Sequence, residues 1–592
     1  MSDFMRWDLS QLVEESGPEW IPGRLKDMVD EADRLRRRYR GNIRGMDPRS
    51  LLEFIKEMEE FELRYEGVLM YCRLRYAADS TDQVAKRLND AARTAGTRAS
   101  QALAFIEVEL SELISEYPEY SEHAILSEYS HYLERKLRGV PHILSEREEQ
   151  LILTKDKNGI KAWSQLQSDW LSTRTFEIEV EGEKKTMPYG KIIALYESPD
   201  RELRRRANQV VYEDLGDDDI LWSSAVRAVC GDHLQMCEWR DYPSPMTQSL
   251  IANDVKKEII ESLIKTIEEN VDLYRRYLRL KAEIMGLPRL GNWDIVAPLP
   301  DAPEKEYSWR ESRELVTRAY MGFDEQLGGW VDEMYERSHI DGEPRNGKRS
   351  GAFCSTWFSG KSAYMLQSFN GSMGDVYTQT HELGHAIHAY LGSRNQTPKN
   401  YEIGSCIAEC GSTFGELLLT DLLLEEADSR AEKQAILAKV LDEFGMAAFQ
   451  VSARVWFEMS MYDCINAGEF LDGETVTKLW VEARDRIYGE AVEWLPEMNW
   501  EWTMKVHYYI PNYRFYNYPY VFAQLFVFAL YRLYKEQGDE FVPKLKNLLA
   551  AGSSKSPWQL GTEVGFDITE EDFWLKGVKQ AEEFIDMLEE TV

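Results

Sequence analysis

Histidine and basic charge are both scarce in this sequence. Its 592 residues include nine histidines, and 70 Lys and Arg stand against 103 Asp and Glu, a formal charge of −33. So acidic a chain has no basic face with which to neutralise phosphates, which argues against nucleic acid as a partner. The acidity is that of a solvated surface. There is no run of about eighteen apolar residues: Phe522 to Leu530 is apolar but too short, and Gln524 interrupts it, so no membrane-spanning helix is expected. The opening residues lack a basic segment followed by an apolar one, and no secretory signal is expected. Cysteine is sparse and odd in number, seven in all, a usage that fits reduced thiols rather than a disulfide framework. Without secretion, the glycosylation acceptor patterns at Asn370 and Asn395 carry no weight. Neither an internal repeat nor a low-complexity tract is evident. The expectation is a soluble, cytoplasmic protein with no nucleic-acid or membrane partner.

What is present is enough apolar material for a large interior, 43% of residues with 12% aromatic. The length suggests two to four domains or one large helical body. From Pro48 to about Glu116 the apolar residues Leu51, Leu52, Phe54, Ile55, Met58 and Phe61 recur at helical spacing. A second helix is predicted to start from a Ser80–Gln83 capping box. Phe176 to Val180 alternates and meets Glu181-Gly182-Glu183, which predicts a hairpin. Ser198-Pro199-Asp200 opens a helix carrying Arg201, Arg204, Arg205 and Arg206, read as a salt-bridged face. Four prolines between Gly286 and Ser308 make that stretch a connector. Gly342 to Lys348 has the spacing of a phosphate loop, but position 349 is Arg where Ser or Thr would hold magnesium, so nucleotide binding is not expected.

The chemistry gathers in one place. His381, His385 and His388 fall within eight positions, and His381-Glu382-Leu383-Gly384-His385 is a His-Glu-x-x-His set. On a helix His381 and His385 project from one face, one turn apart, where two imidazoles reach one zinc ion. Glu382 can act there as general base toward a water on the metal. Ser372 and Asp375 form a predicted capping box that starts this helix. The preceding stretch, Ser362 to Asn370, is predicted as a strand, either an exposed edge that pairs with extended peptide or a strand paired within its own sheet.

A third ligand must come from elsewhere. Glu409 lies twenty-four residues after His385 at the start of a second apolar-periodic helix, with Glu402 and Glu416 as competing acids. Glu416, two turns beyond Glu409, suits a partner that orients a histidine. Cys406 and Cys410 flank Glu409 and are read as buried apolar side chains.

His381 to His388, followed by Ala408-Glu409-Cys410-Gly411-Ser412-Thr413-Phe414-Gly415-Glu416, resembles the oligoendopeptidase F branch of the thimet oligopeptidase-like zinc metallopeptidases. Gly347 to Cys354 and Phe369-Asn370-Gly371 add to the likeness. The resemblance implies one Zn2+ held by His381, His385 and Glu409, with Glu382 as base. It also implies a late loop over the metal, here His507 to Tyr520, from which Tyr518, then Tyr516 and His507, would stabilise the oxyanion. The implied fold is mainly α, a large helical zincin-type body with a small β-sheet beside the active-site helix and a substrate channel between helical halves. An N-terminal helical domain would span 1–190 and a catalytic domain 191–592. The implied activity is a zinc-dependent endopeptidase acting on short oligopeptides. The alternatives are a zinc exopeptidase of carboxypeptidase type on a similar fold, or a catalytically inactive peptide-binding relative.

Overall fold

Asp47 begins the first long helix after the N-terminal helix α1 (Ile21–Tyr39). Its side chain accepts the Ser50 N–H at 2.8 Å, and Pro48 takes the first helical position, where a missing N–H costs nothing. Helix α2 (Pro48–Ala78) then buries Leu51, Phe54, Ile55, Met58 and Phe61 along one stripe. The computed structural model describes residues 5–13, 18–300, 303 and 305–592. Helix α3 (Gln83–Leu103) starts on Asp82, whose side chain accepts the Val84 N–H at 2.7 Å, and not on a Ser80–Gln83 box. The reason is local: Asp79 takes the Thr81 N–H, and the Ser80 N–H is spent on the Gly347 carbonyl, so the turn closes two residues later than predicted. Helix α4 (Phe105–Glu116) completes the predicted helical region.

The described chain divides into two compact units, each assembled from three stretches. The first comprises Met1–Val140, Glu304–Glu425 and Leu533–Phe566. Its N-terminal helices share one core with Tyr364 and Leu366 from a small sheet. That sheet has strands β1 (Ile340–Asp341), β2 (Phe353–Trp357) and β3 (Ser362–Leu366), with β3 in the middle. It runs antiparallel to β2, Phe353 opposite Leu366 and Trp357 opposite Ser362, and parallel to β1. All five residues of β3 are buried, so of the two readings of this stretch the internally paired strand is the one realised. The side chain of Lys348 is buried and pairs with Asp341 at 2.7 Å, while its ammonium also donates to the Glu343 carbonyl. The loop that mimics a phosphate site therefore spends its lysine inward.

The second unit comprises Pro141–Pro303, Glu426–Arg532 and Asp567–Val592. It holds the predicted hairpin, Thr175–Val180 paired antiparallel with Glu183–Pro188. Glu181 and Gly182 lie at φ 56° and 80°, the left-handed pair that a two-residue turn requires. The helix Arg201–Asp217 starts on Asp200. Three of its arginines are paired within the chain: Arg201 and Arg204 both clamp the buried Asp294, at 2.7 and 2.9 Å, and Arg205 pairs with Glu202. Among its described residues the connector keeps a two-residue bridge, Leu290–Gly291 against Val492–Glu493, and one turn of 3-10 helix. The expected division at residue 190 falls inside the first stretch of this unit. Among the described residues no helix is long and apolar enough to cross a membrane. The fold is mainly helical, as expected.

Candidate metal centre

The strand-to-helix turn sets up the site. Gly371 adopts φ +91°, and the chain enters α6 (Met373–Asn395) through the expected capping box. Ser372 Oγ accepts the Asp375 N–H at 3.1 Å, and the Asp375 carboxylate accepts the Ser372 and Asn370 N–H groups at 3.0 and 2.9 Å. Two turns further on, His381 and His385 face the same side, ring centroids 4.9 Å apart and nearly perpendicular.

Glu409 arrives on a second element packed unusually close. It sits at the joint between the short helix Ser405–Ala408 and helix α7 (Cys410–Glu426). A Cβ on Gly384 would stand 2.3 Å from the Gly411 carbonyl oxygen and 2.5 Å from Ser412 Cα, and one on Gly411 would stand 2.5 Å from the Gly384 oxygen. Backbone therefore meets backbone at this crossing. The contacts 384 with 411, 381 with 416 and 377 with 420 run in opposite senses along the two helices, which are antiparallel. Gly384 costs α6 about 1 kcal/mol of helix propensity relative to Ala, and the close approach is its return.

That approach brings three ligand atoms together. Glu409 Oε2 lies 3.4 Å from His381 Nε2 and 3.4 Å from His385 Nε2, and the three residues' ligand atoms all lie within 4.8 Å of one another. Tetrahedral ligands at roughly 2.0–2.1 Å from a zinc ion stand about 3.3 Å apart, so the carboxylate–imidazole spacing fits such an ion. Two imidazoles and a carboxylate are also a donor set of catalytic zinc, which leaves a fourth position open. Ser412 Oγ donates to the same Glu409 oxygen at 2.7 Å and fixes its direction. Burial raises the Glu409 carboxyl, but His385, His381 and Ser412 outweigh it and hold it below the usual range. Burial lowers His385 more than Glu409 raises it, so its imidazole is held below the ordinary value.

Glu416 accepts the Nδ1–H of His381. Burial would lower the His381 imidazole, but this bond and the charges of Glu416, Glu409 and Glu382 push it up to about 9. The bond fixes the orientation of the ring and turns Nε2 toward Glu409. Glu382 is buried, 8% exposed, and burial pushes its carboxyl up to about 7 against the pull of His381 and of the Cys354 N–H on β2. Glu402 is exposed and stands outside the cluster. Cys406 and Cys410 are fully buried, and none of the seven cysteines is in a disulfide. His388 is 2% exposed beside Gly411, and burial pushes its imidazole down to about 3, so it stays neutral.

The late loop belongs to the second unit. The His507 ring stacks on Tyr516, centroids 4.4 Å apart, Tyr513 packs on Tyr516 at 4.2 Å, and the Tyr516 and Tyr520 hydroxyls are bonded to each other. Burial and the cations Arg454, Lys505 and Arg514 push His507 down to about 4. A buried Arg514–Glu458 pair at 2.7 Å anchors the loop: Arg514 donates to the Tyr508 carbonyl, and Glu458 accepts the N–H of Phe515, which sits at φ 54°. Tyr518 is fully buried, and its hydroxyl accepts from Ser249 and Asn253 at 3.1 and 3.2 Å. Tyr516 and His507 are partly exposed. One residue beside the metal centre left no trace in the sequence pattern: Tyr320, from helix α5 (Trp309–Phe323), which donates to the Thr380 carbonyl.

The profile of peptidase family M3 matches residues 194–580, and that of oligopeptidase F matches residues 111–176. Oligopeptidase PepF of Bacillus subtilis (strain 168) is 25% identical over 548 residues, covering 91% of this chain and 81% of the relative. Group B oligopeptidase PepB of Streptococcus agalactiae is 27% identical over 551 residues, covering 92% and 90%. Oligoendopeptidase-F from Enterococcus faecium superposes with a TM-score of 0.69 at 21% identity over 96% of this chain and 98% of that one. A crystal structure from Chlamydophila abortus superposes with a TM-score of 0.90 at 21% identity over 100% and 99%.

Proposed function

Because the chain belongs to peptidase family M3 and is a metallopeptidase, we propose that it cleaves internal bonds of short oligopeptides with one zinc ion held by His381, His385 and Glu409. The observation that carries this reading is the convergence of Glu409 Oε2 on both Nε2 atoms at 3.4 Å, beside a buried Glu382. The names of the relatives, oligopeptidase and oligoendopeptidase, support the substrate class. The cytoplasm is the proposed location, supported by seven cysteines without a disulfide. The division into an N-terminal module, residues 1–190, and a catalytic module, residues 191–592, is proposed as a boundary in sequence, supported by the break between the two matched profiles.

A zinc ion bound there supplies Lewis acidity, polarising a peptide carbonyl and making water a nucleophile near neutral pH. The chain's own residues do the rest. Glu416 holds the His381 Nδ1–H, and Ser412 holds the Glu409 oxygen, so the ligand atoms are oriented before metal arrives. Glu382, with its carboxyl near 7, accepts a proton from the attacking water and returns it to the leaving amine. The oxyanion donor is proposed from the late loop, Tyr518 first, then Tyr516 and His507.

The test is an internally quenched peptide blocked at both ends. It should be cut by the wild-type protein and spared once a chelator is added. Glu382→Gln should keep stoichiometric zinc and lose turnover by about 10²–10⁴-fold. Cleavage confined to peptides with a free terminus would sink the endopeptidase reading, and full activity of the variant would sink the role of Glu382.

A further inference from the structure

Tyr320 stands sixty positions before Thr380, on a helix that carries none of the ligands. Its ring is buried, 3% exposed, and its hydroxyl donates to the Thr380 carbonyl at 2.7 Å. Thr380 immediately precedes His381. The same oxygen fills the space where Gly415 lacks a side chain: a Cβ on Gly415 would stand 1.9 Å from it and 2.7 Å from the ring Cζ. Gly415 immediately precedes Glu416. One phenol oxygen is therefore wedged between α6 and α7, one residue away from each partner of the His381–Glu416 bond.

The two helices are fixed on either side of that point. Toward Glu409 they touch at Gly384 and Gly411, and toward the start of α6 the Tyr377 and Thr420 hydroxyls bond at 2.9 Å. Thr380 lies inside a helix, where its carbonyl has a backbone partner four residues on, so it does not need the phenol to be satisfied. The bond serves position instead: it fixes how far α6 stands from α7 at the level where an imidazole must meet a carboxylate.

We propose that Tyr320 is a positioning residue of the metal centre, a strut whose hydroxyl sets the α6–α7 separation and through it the aim of His381. The proposal rests on the reading of His381, His385 and Glu409 as zinc ligands.

The experiment compares wild type with Tyr320→Phe, Gly415→Ala and the double variant. Zn2+ affinity of the metal-free full chain is measured by competition with a chelator, alongside apo melting temperature and kcat and KM for a quenched peptide. Tyr320→Phe should bind zinc about tenfold more weakly. Its apo melting temperature should stay within about 3 °C, the cost of one buried hydrogen bond. Its kcat should fall and KM hold. Gly415→Ala should weaken zinc at least as much, and the double variant should be no worse than Gly415→Ala alone, because the oxygen, the nearest atom that the new methyl meets, is gone while the ring carbons stay. Wild-type zinc affinity in Tyr320→Phe would overturn the strut, as would two effects that simply multiply. His385→Ala separates the two failures: zinc retained at full stoichiometry in that variant would remove the ligand reading itself, and the strut with it.

Discussion

Three acids surround the motif histidines, and burial and neighbours give each a different duty. Glu409 is held ionised by His385, His381 and Ser412 and suits a ligand, while Glu382 lies deeper, is pushed up to about 7 and suits proton transfer. Glu416 touches only the far nitrogen of His381. Glu416→Gln keeps an acceptor there but removes the charge that fixes the imidazole. Zinc affinity should fall by about 10–100-fold in chelator competition, while turnover at saturating zinc largely survives. Unchanged affinity would reduce Glu416 to a neighbour without influence. At this scale the sequence was informative wherever function follows helical spacing. His381 and His385 are one turn apart, and Glu416 is two turns beyond Glu409. Tyr320 escaped because a contact across sixty positions leaves no periodic mark. A phenol that packs and a phenol that donates are the same letter, so the sequence does not show that the Tyr518 hydroxyl meets Ser249 and Asn253.

Elements were legible through their ends. The Ser372–Asp375 box and the Glu181-Gly182 turn form where side-chain chemistry demands them, whereas α3 starts two residues late because Asp79 and the Gly347 carbonyl take the N–H groups on which an earlier start depended. The crossing of α6 and α7 was not legible. Gly384 reads locally as a weak point in a helix, and its purpose appears only when Gly411 is brought against it. Gly384→Ala tests that purpose. Alanine is the better helix former by about 1 kcal/mol, so an exposed site would be stabilised. Here the methyl meets the Gly411 oxygen and Ser412 Cα, backbone atoms with no rotamer to move. Urea unfolding should show a net loss of about 1–3 kcal/mol. The zinc content of whatever folds should fall, because the displaced helix carries Glu409 at its start. A variant as stable as wild type with full zinc would mean that the helices separate without cost.

At the scale of the whole molecule, helical content and the clustering of His381, His385 and Glu409 could be expected from pattern, but not the way each unit gathers three distant stretches of chain. Tyr364 and Leu366 share a core with helices that precede them by more than two hundred positions, and the apolar letters of a strand do not say which helices will cover it. The gathering also buries, away from the metal centre, a histidine in each unit whose charge state bears on stability. His339 in the first unit is 0% exposed, stacked on Tyr364 with Nδ1 3.0 Å from Ser362 Oγ. Burial and Arg337 push it down to about 4 against the Ala363 carbonyl and Asp8. His233 in the second unit is 3% exposed, its Nε2–H donating to the Pro245 carbonyl at 2.7 Å. Burial, with Arg514 adding to it, pushes this imidazole to about 4 as well, with the Pro245 bond opposing. Both are neutral in the fold, while the unfolded chain takes up their protons below about 6.5. Their contribution is therefore complete above pH 6.5, is lost as pH falls toward 4, and changes no further below that. At pH 5 the loss is about 2 kcal/mol for each. Urea midpoints of the metal-free protein should drop between pH 7.5 and pH 5, with both units affected. In a His233→Gln, His339→Gln double variant that decline should flatten, even though the variant starts less stable at pH 7.5. A variant whose midpoint falls as steeply as wild type would place the acid sensitivity in other groups, His388 and His507 among them.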